Sequence, residues 1–135
     1  MDFHRFKLDQ SGLARVLGTL EARIMEGVWT LGSPTIRELC EILEAPPHYK
    51  TVLTVANRMV EKGLLARAPT PDRAFSYRAT ESRNELVRRL SSSVATELVG
   101  DFGHHALAQF VDAAERLDPA YLDELERLVR ERKGV

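Results

Sequence analysis

At 135 residues the chain has room for one domain of ordinary size, or a small domain with an oligomerisation element. No stretch approaches the roughly 18 apolar residues of a membrane span, and the opening MDFHRFKLDQ is too polar for a secretory signal, so a cytoplasmic protein is expected. A formal net charge of −1 excludes bulk attraction to nucleic acid, but the charge is unevenly spread: residues 46–80 carry Lys50, Arg58, Lys62, Arg67, Arg73 and Arg78 against Glu61 and Asp72, while acidic side chains outnumber basic ones over 81–135.

Residues 1–16 lack a clear period and read as an extended or frayed N-terminal arm in which Phe3, Phe6 and Leu8 pack on some other surface. From Leu17 to Trp29 the apolar residues Leu17, Leu20, Ile24, Met25 and Val28 recur at helical spacing, and Gly32-Ser33-Pro34 breaks the helix. The next helix opens near Thr35 with a capping box to Glu38, carries Ile36, Leu39, Ile42 and Leu43, and ends about Glu44. It holds Cys40, the one cysteine, which has no disulfide partner and no second metal ligand at a usual spacing; a half-buried thiol is expected.

Beyond Pro46 and Pro47, residues 48–62 form a helix with two unlike sides. At about 100° per residue, Val52, Val55, Ala56, Met59 and Val60 share one arc with Leu53 at its edge. Lys50, Thr51, Thr54, Asn57, Arg58 and Glu61 occupy the rest, and all but Glu61 carry donors suited to phosphates or base edges. Gly63 stands where a left-handed C-cap belongs, and the strand-like runs Leu64–Ala68 and Phe75–Ala79 flank a turn, Thr70-Pro-Asp-Arg-Ala74. Any amphipathic helix has a polar face, so the arc alone also fits a solvated surface. The order of two short helices, glycine stop and hairpin is what favours a helix-turn-helix with a wing at 69–74.

Ser82-Arg-Asn-Glu85 is a second capping box, opening a helix to about Val99 with Leu86, Leu90, Val94 and Leu98 at steps of four, ended by Gly100 and Gly103. A fifth helix spans about His104–Ala114 with Leu107, Phe110 and Val111 inward, and Asp118-Pro119 caps a sixth bearing Leu122, Leu125, Leu128 and Val129. With no sheet to pack on, these helices are expected to pack on a second copy of themselves. The fold class is therefore mainly α with a small β-hairpin wing: an arm at 1–16, a winged helix-turn-helix domain at 17–80 and a helical dimerisation region at 81–135.

Several quoted segments together resemble the penicillinase-repressor family, the BlaI/MecI/CopY group. They are Gly18-Thr-Leu-Glu-Ala-Arg-Ile-Met-Glu-Gly-Val-Trp29, Pro34-Thr-Ile-Arg-Glu-Leu39, Tyr49-Lys-Thr-Val-Leu-Thr-Val55, Asn57-Arg-Met59 and Glu61-Lys-Gly-Leu-Leu65, followed by Phe75-Ser-Tyr77, Ser82-Arg-Asn-Glu-Leu86 and Leu117-Asp-Pro-Ala-Tyr-Leu-Asp-Glu-Leu125. The resemblance implies a homodimeric repressor on a palindromic DNA operator, with Lys50, Thr51, Thr54 and Arg58 reading, Arg73 on the backbone from the wing, and Lys62 on phosphate. His48 and Tyr49 are further phosphate candidates, the tyrosine also fitting a packing role against Pro46-Pro47. Dimerisation would rest on Leu90, Val94, Leu98, Leu107, Phe110, Val111, Leu122 and Leu125.

For release, penicillinase-type members imply an inactivating protease cutting at a bond that falls here at Gln109–Phe110, with Gln where those members have Asn. Copper-responsive members carry C-terminal Cys-x-Cys pairs; this chain ends Glu131-Arg-Lys-Gly-Val135 and has none, so no copper, other metal or cofactor is expected. His104 and His105 diverge by about 100° on a helix and make a poor chelate within one copy. No phosphate loop, nucleophile elbow or catalytic set stands out, which speaks against an enzyme. The rivals to a repressor are a winged-helix module used only for protein interaction and an effector-, metal- or haem-responsive sensor repressor.

Overall fold

The computed structural model describes residues 6–7, 10–44 and 47–134. Phe3, His4 and Leu8 of the expected arm, and Pro46 before the fourth segment, lie outside the described residues. A 3₁₀ turn at Gly12–Arg15 precedes α1 (Thr19–Leu31), α2 (Ile36–Ile42), α3 (Tyr49–Glu61), β1 (Leu65–Pro69), β2 (Phe75–Ala79), α4 (Arg83–Phe102), α5 (His104–Leu117) and α6 (Ala120–Lys133). The chain packs as two units that divide between Ser91 and Ser92, inside α4.

The first unit is built from local signals that act where the sequence places them. Gly32 leaves α1 at φ 91°, a backbone setting that a side chain would strain. Thr35 then caps α2 with both bonds of a capping box: Glu38 N–H donates to Thr35 Oγ1 at 3.3 Å, and Thr35 N–H donates to Glu38 Oε1 at 3.1 Å. Such a cap is worth about 1 kcal/mol, which matters for a helix of seven residues that could not persist alone. At the end of α3, Gly63 sits at φ 81°, Leu64 N–H donates to Met59 O at 2.9 Å and Gly63 N–H donates to Val60 O at 3.0 Å. These are the two bonds of a Schellman motif, and the buried Leu64 and Met59 supply its apolar contact.

The core lies where α1, α2 and α3 meet the hairpin. Ile24, Met25 and Val28 of α1, Leu39 of α2 and Val52, Ala56 and Met59 of α3 are all fully enclosed. Burying a side chain of that size contributes about 1.5–3 kcal/mol, so this cluster outweighs any single cap or ion pair. The hairpin closes the unit: β1 and β2 pair antiparallel with Leu65 opposite Ala79 and Arg67 opposite Tyr77. On the other side of β2, Tyr77 N–H donates to Pro34 O at 2.8 Å, and Thr35 and Ser76 form an isolated bridge. Trp29 Nε1 donates to Glu81 O at 3.1 Å and Ser82 caps α4 through Glu85 N–H at 3.1 Å, fixing where that helix starts.

Three features depart from the sequence expectations. Gly100 lies within α4, which runs on to Phe102 because Gly103, at φ 54°, is the residue that breaks it. Ile42, expected inward, is 43% exposed on the last turn of α2. Leu90, expected at the dimer seam, is enclosed with Leu86 in the core of the first unit. Four residues advance a helix by little more than one turn, so the Leu86/Leu90 stripe meets that core before the chain reaches Val94.

In the second unit α5 packs on α6. Asp118 begins the turn into α6, its Oδ1 accepting from Ala120 N–H at 3.0 Å, with Pro119 at the cap position. Arg127 forms ion pairs with Glu124 and Glu131 on the polar side of α6, and this pairing holds the Glu124 carboxyl below its ordinary pKa. No described residue of this unit is buried: Leu98, Leu107, Phe110 and Val111 are exposed, and Val94, Leu122 and Leu125 are half-buried.

Candidate nucleic-acid interface

The polar side of α3 follows from the sealing of the other. Because Val52, Ala56 and Met59 are enclosed, Lys50, Thr51, Thr54 and Arg58 are turned out, and all are exposed. His48 caps the helix, its Nδ1 accepting from Lys50 N–H at 3.3 Å, and no acidic residue stands in the first turn to offset the positive end of the helix dipole. The His48 ring is thus committed to a cap; Tyr49 is half exposed. Thr54 Oγ1 donates to Lys50 O at 2.8 Å, which spends its hydrogen and leaves its lone pairs and methyl group facing outward.

The hairpin tip carries the next cation. Residues 70–74 close on themselves: Thr70 N–H donates to Ala74 O at 2.9 Å, Ala74 N–H donates to Thr70 Oγ1 at 3.3 Å, and Arg73 N–H donates to Thr70 O at 3.3 Å. This is a type I turn followed by a left-handed residue, the geometry of a three-residue hairpin loop, and the left-handed place is taken by Arg73 at φ 62°. Glycine is the ordinary occupant of such a place. Among the described residues Arg73 is the only non-glycine with positive φ, and its side chain is exposed. Lys50, Arg58 and Arg73 make no ion pair among the described residues.

Lys62 and Asn57, further donors at the polar side of α3, have partners within the fold. Lys62 lies at the C-cap, the far end of the stripe, where its Nζ pairs with Glu21 Oε1 of α1 at 3.0 Å. Asn57 belongs to the wing side of α3 rather than to its open side: its Oδ1 accepts from Tyr77 OH at 2.9 Å and from Arg67 Nη1 at 3.1 Å. The Arg67 guanidinium also lies 4.5 Å over the Phe75 ring, so this cation is spoken for within the fold. A helical wheel gives the angle of Asn57 but not the strand that stands opposite, and the sequence held no signal for this pairing.

The remaining candidates form no second site. The Cys40 thiol is half-buried, and burial pushes its pKa up, which keeps it protonated and slow as nucleophile or ligand. His104 and His105 are both exposed, with ring centroids 6.2 Å apart and planes tilted by 56°. Among the described residues no group of three or more His, Cys, Asp or Glu side chains is arranged to hold a metal ion, and no helix is long and apolar enough to cross a membrane. Gln109 and Phe110 lie inside α5, within continuous helical backbone.

The chain is 30% identical over 96 residues to an uncharacterised 16.5 kDa protein in the ptsI 3′ region of Latilactobacillus sakei, a match covering 70% of this chain and 65% of that relative's length. The apo form of wild-type MarR from E. coli aligns over 82% of this chain and 99% of its own, at 15% identity and a TM-score of 0.36. The family description "Penicillinase repressor" matches residues 17–131, from two residues before α1 to the final turn of α6. The chain belongs to the penicillinase repressor family, and its first unit has the element order of a winged helix-turn-helix.

Proposed function

We propose that this protein is a homodimeric repressor that occupies a palindromic operator, each α3 reading one half-site while each wing lies on the adjoining backbone. The observation that carries this is the α3 stripe: Lys50, Thr51, Thr54 and Arg58 stand exposed, without ion pairs among the described residues, along a helix whose opposite side is sealed in the core. A helix with its side chains is about 10–12 Å across and the major groove about 12 Å wide, so the stripe can be presented to base edges along the groove floor. In that arrangement Arg58 donates to a guanine edge. Thr54, its hydrogen already given to Lys50 O, contributes acceptor lone pairs and a methyl group that suits thymine. Lys50 meets phosphate from the first turn of α3, and Arg73 does so from the wing. Lys62 contacts phosphate only by leaving Glu21, whose side chain is 17% exposed.

Dimerisation by the second unit is supported by what that unit leaves open. Leu107 is 53%, Val111 48% and Phe110 39% exposed along α5. They line a groove of about 950 Å³ with Leu122, Leu125 and Val129 of α6. A second copy would cover this apolar face, and two-fold symmetry would set two recognition helices on two half-sites. A cut at Gln109–Phe110 by an inactivating protease would sever α5 at that face and release the operator. The test is a gel shift of full-length protein at two salt concentrations, with genomic fragments against random duplex. Retardation that persists for particular fragments at the higher salt supports a repressor; no salt-dependent retardation of any duplex would leave a protein-interaction module.

A further inference from the structure

Asn57 links two parts of the molecule that a DNA-binding role requires to act together. Arg67 and Tyr77 are cross-strand partners, so both lie on the same face of the hairpin, and both donate to Asn57 Oδ1 of α3. One side chain of the recognition helix is therefore bonded to both strands of the wing. Tyr77 is 1% exposed, and removing Asn57 takes away the acceptor of its buried hydroxyl. Buried Leu65 and the bond from Thr80 Oγ1 to Gly63 O at 2.7 Å hold the hairpin's base, while at the level of Asn57 and one residue beyond it β2 alone is also tied to the start of α2, through Tyr77 N–H to Pro34 O and the Thr35–Ser76 bridge. Among the described residues the hydrogen bonds of the tip, Thr70–Ala74, run only within the tip itself. A small tilt of the hairpin about its base displaces the tip most.

We propose that Asn57 is a positioning residue that latches the wing to the recognition helix at a fixed angle, so that Arg73 and the α3 stripe meet the DNA backbone in one register. This rests on the DNA-binding role proposed above. It also makes Asn57 a determinant of wing contact without itself touching DNA, with Tyr77 and Arg67 as the donors through which it acts.

The experiment is a double-mutant cycle on full-length protein with a mixed-sequence duplex, read as the slope of log affinity against log salt. In the wild-type background Arg73→Ala removes a phosphate contact and lowers the slope by about 0.9 per protomer. With Asn57→Ala already present, the wing is unlatched and Arg73→Ala changes the slope little. Tyr77→Phe, which keeps the ring in the core and alters no exposed cation, should reduce the effect of Arg73→Ala part of the way. Equal effects of Arg73→Ala in the wild-type and Asn57→Ala backgrounds, both folded by circular dichroism, would overturn the latch. If the wild-type chain binds no duplex, the DNA-binding role fails instead, and amide exchange decides the latch. Faster exchange over 65–79 in Asn57→Ala upholds it, and unchanged protection refutes it.

Discussion

Arg73→Gly should make the protein more stable and a poorer DNA binder. Arg73 holds φ 62° at the wing tip, and a left-handed backbone costs a residue with a side chain about 1–2 kcal/mol. Glycine relieves that strain but brings extra freedom to the unfolded chain, worth about 0.5–1 kcal/mol in the opposite direction. The net gain is about 0.5–1 kcal/mol, which for a winged domain of this size corresponds to a rise in melting temperature of about 2–6 °C. Meanwhile the lost guanidinium should lower the salt slope of DNA binding by about 0.9 per protomer. Arg73→Ala separates the two effects, since it loses the same charge while keeping the strained backbone: it should bind as weakly as the glycine variant without the thermal gain. Calorimetry and salt titration on the three proteins read both quantities. A glycine variant that melts lower than wild type would mean that the turn stores no strain, and an unchanged salt slope would put the wing tip away from the backbone.

Thr54→Ala and Arg58→Ala should each reduce discrimination between operator and random duplex by about 1–3 kcal/mol, whereas Lys62→Ala should weaken both alike; an unaltered specificity ratio in the first two would displace the reading stripe. Phe110→Asp places a charge on the apolar α5 face and should shift full-length protein toward monomer in light scattering, with operator binding falling by something like 10²–10⁴-fold as the two half-sites are uncoupled; a dimer of undiminished affinity would contradict the proposed seam. Cys40, its pKa raised by burial, should react slowly with iodoacetamide at neutral pH and faster only as the pH climbs past the ordinary thiol range, and Cys40→Ser should leave DNA binding intact in reductant; rapid labelling at pH 7 would show a thiolate instead.

Local signals in the sequence determine much of this protein. The Thr35–Glu38 and Ser82–Glu85 capping boxes, the Gly63 stop and the Asp118 turn each act through hydrogen bonds spanning a few residues, so they operate in whatever fold contains them. The sealed arc of α3 was legible for a similar reason: Val52, Ala56 and Met59 share a face by helical geometry alone, and the exposure of Lys50, Thr51, Thr54 and Arg58 follows. The tertiary structure decided the contacts between elements distant in sequence. Asn57 bonds to a strand 20 residues away, Lys62 pairs with a carboxylate 41 residues away, and Leu90 falls to the core of the first unit instead of a partner's surface. Helical periodicity assigns each of these residues an angle on its own element, and only packing sets what lies across from that angle.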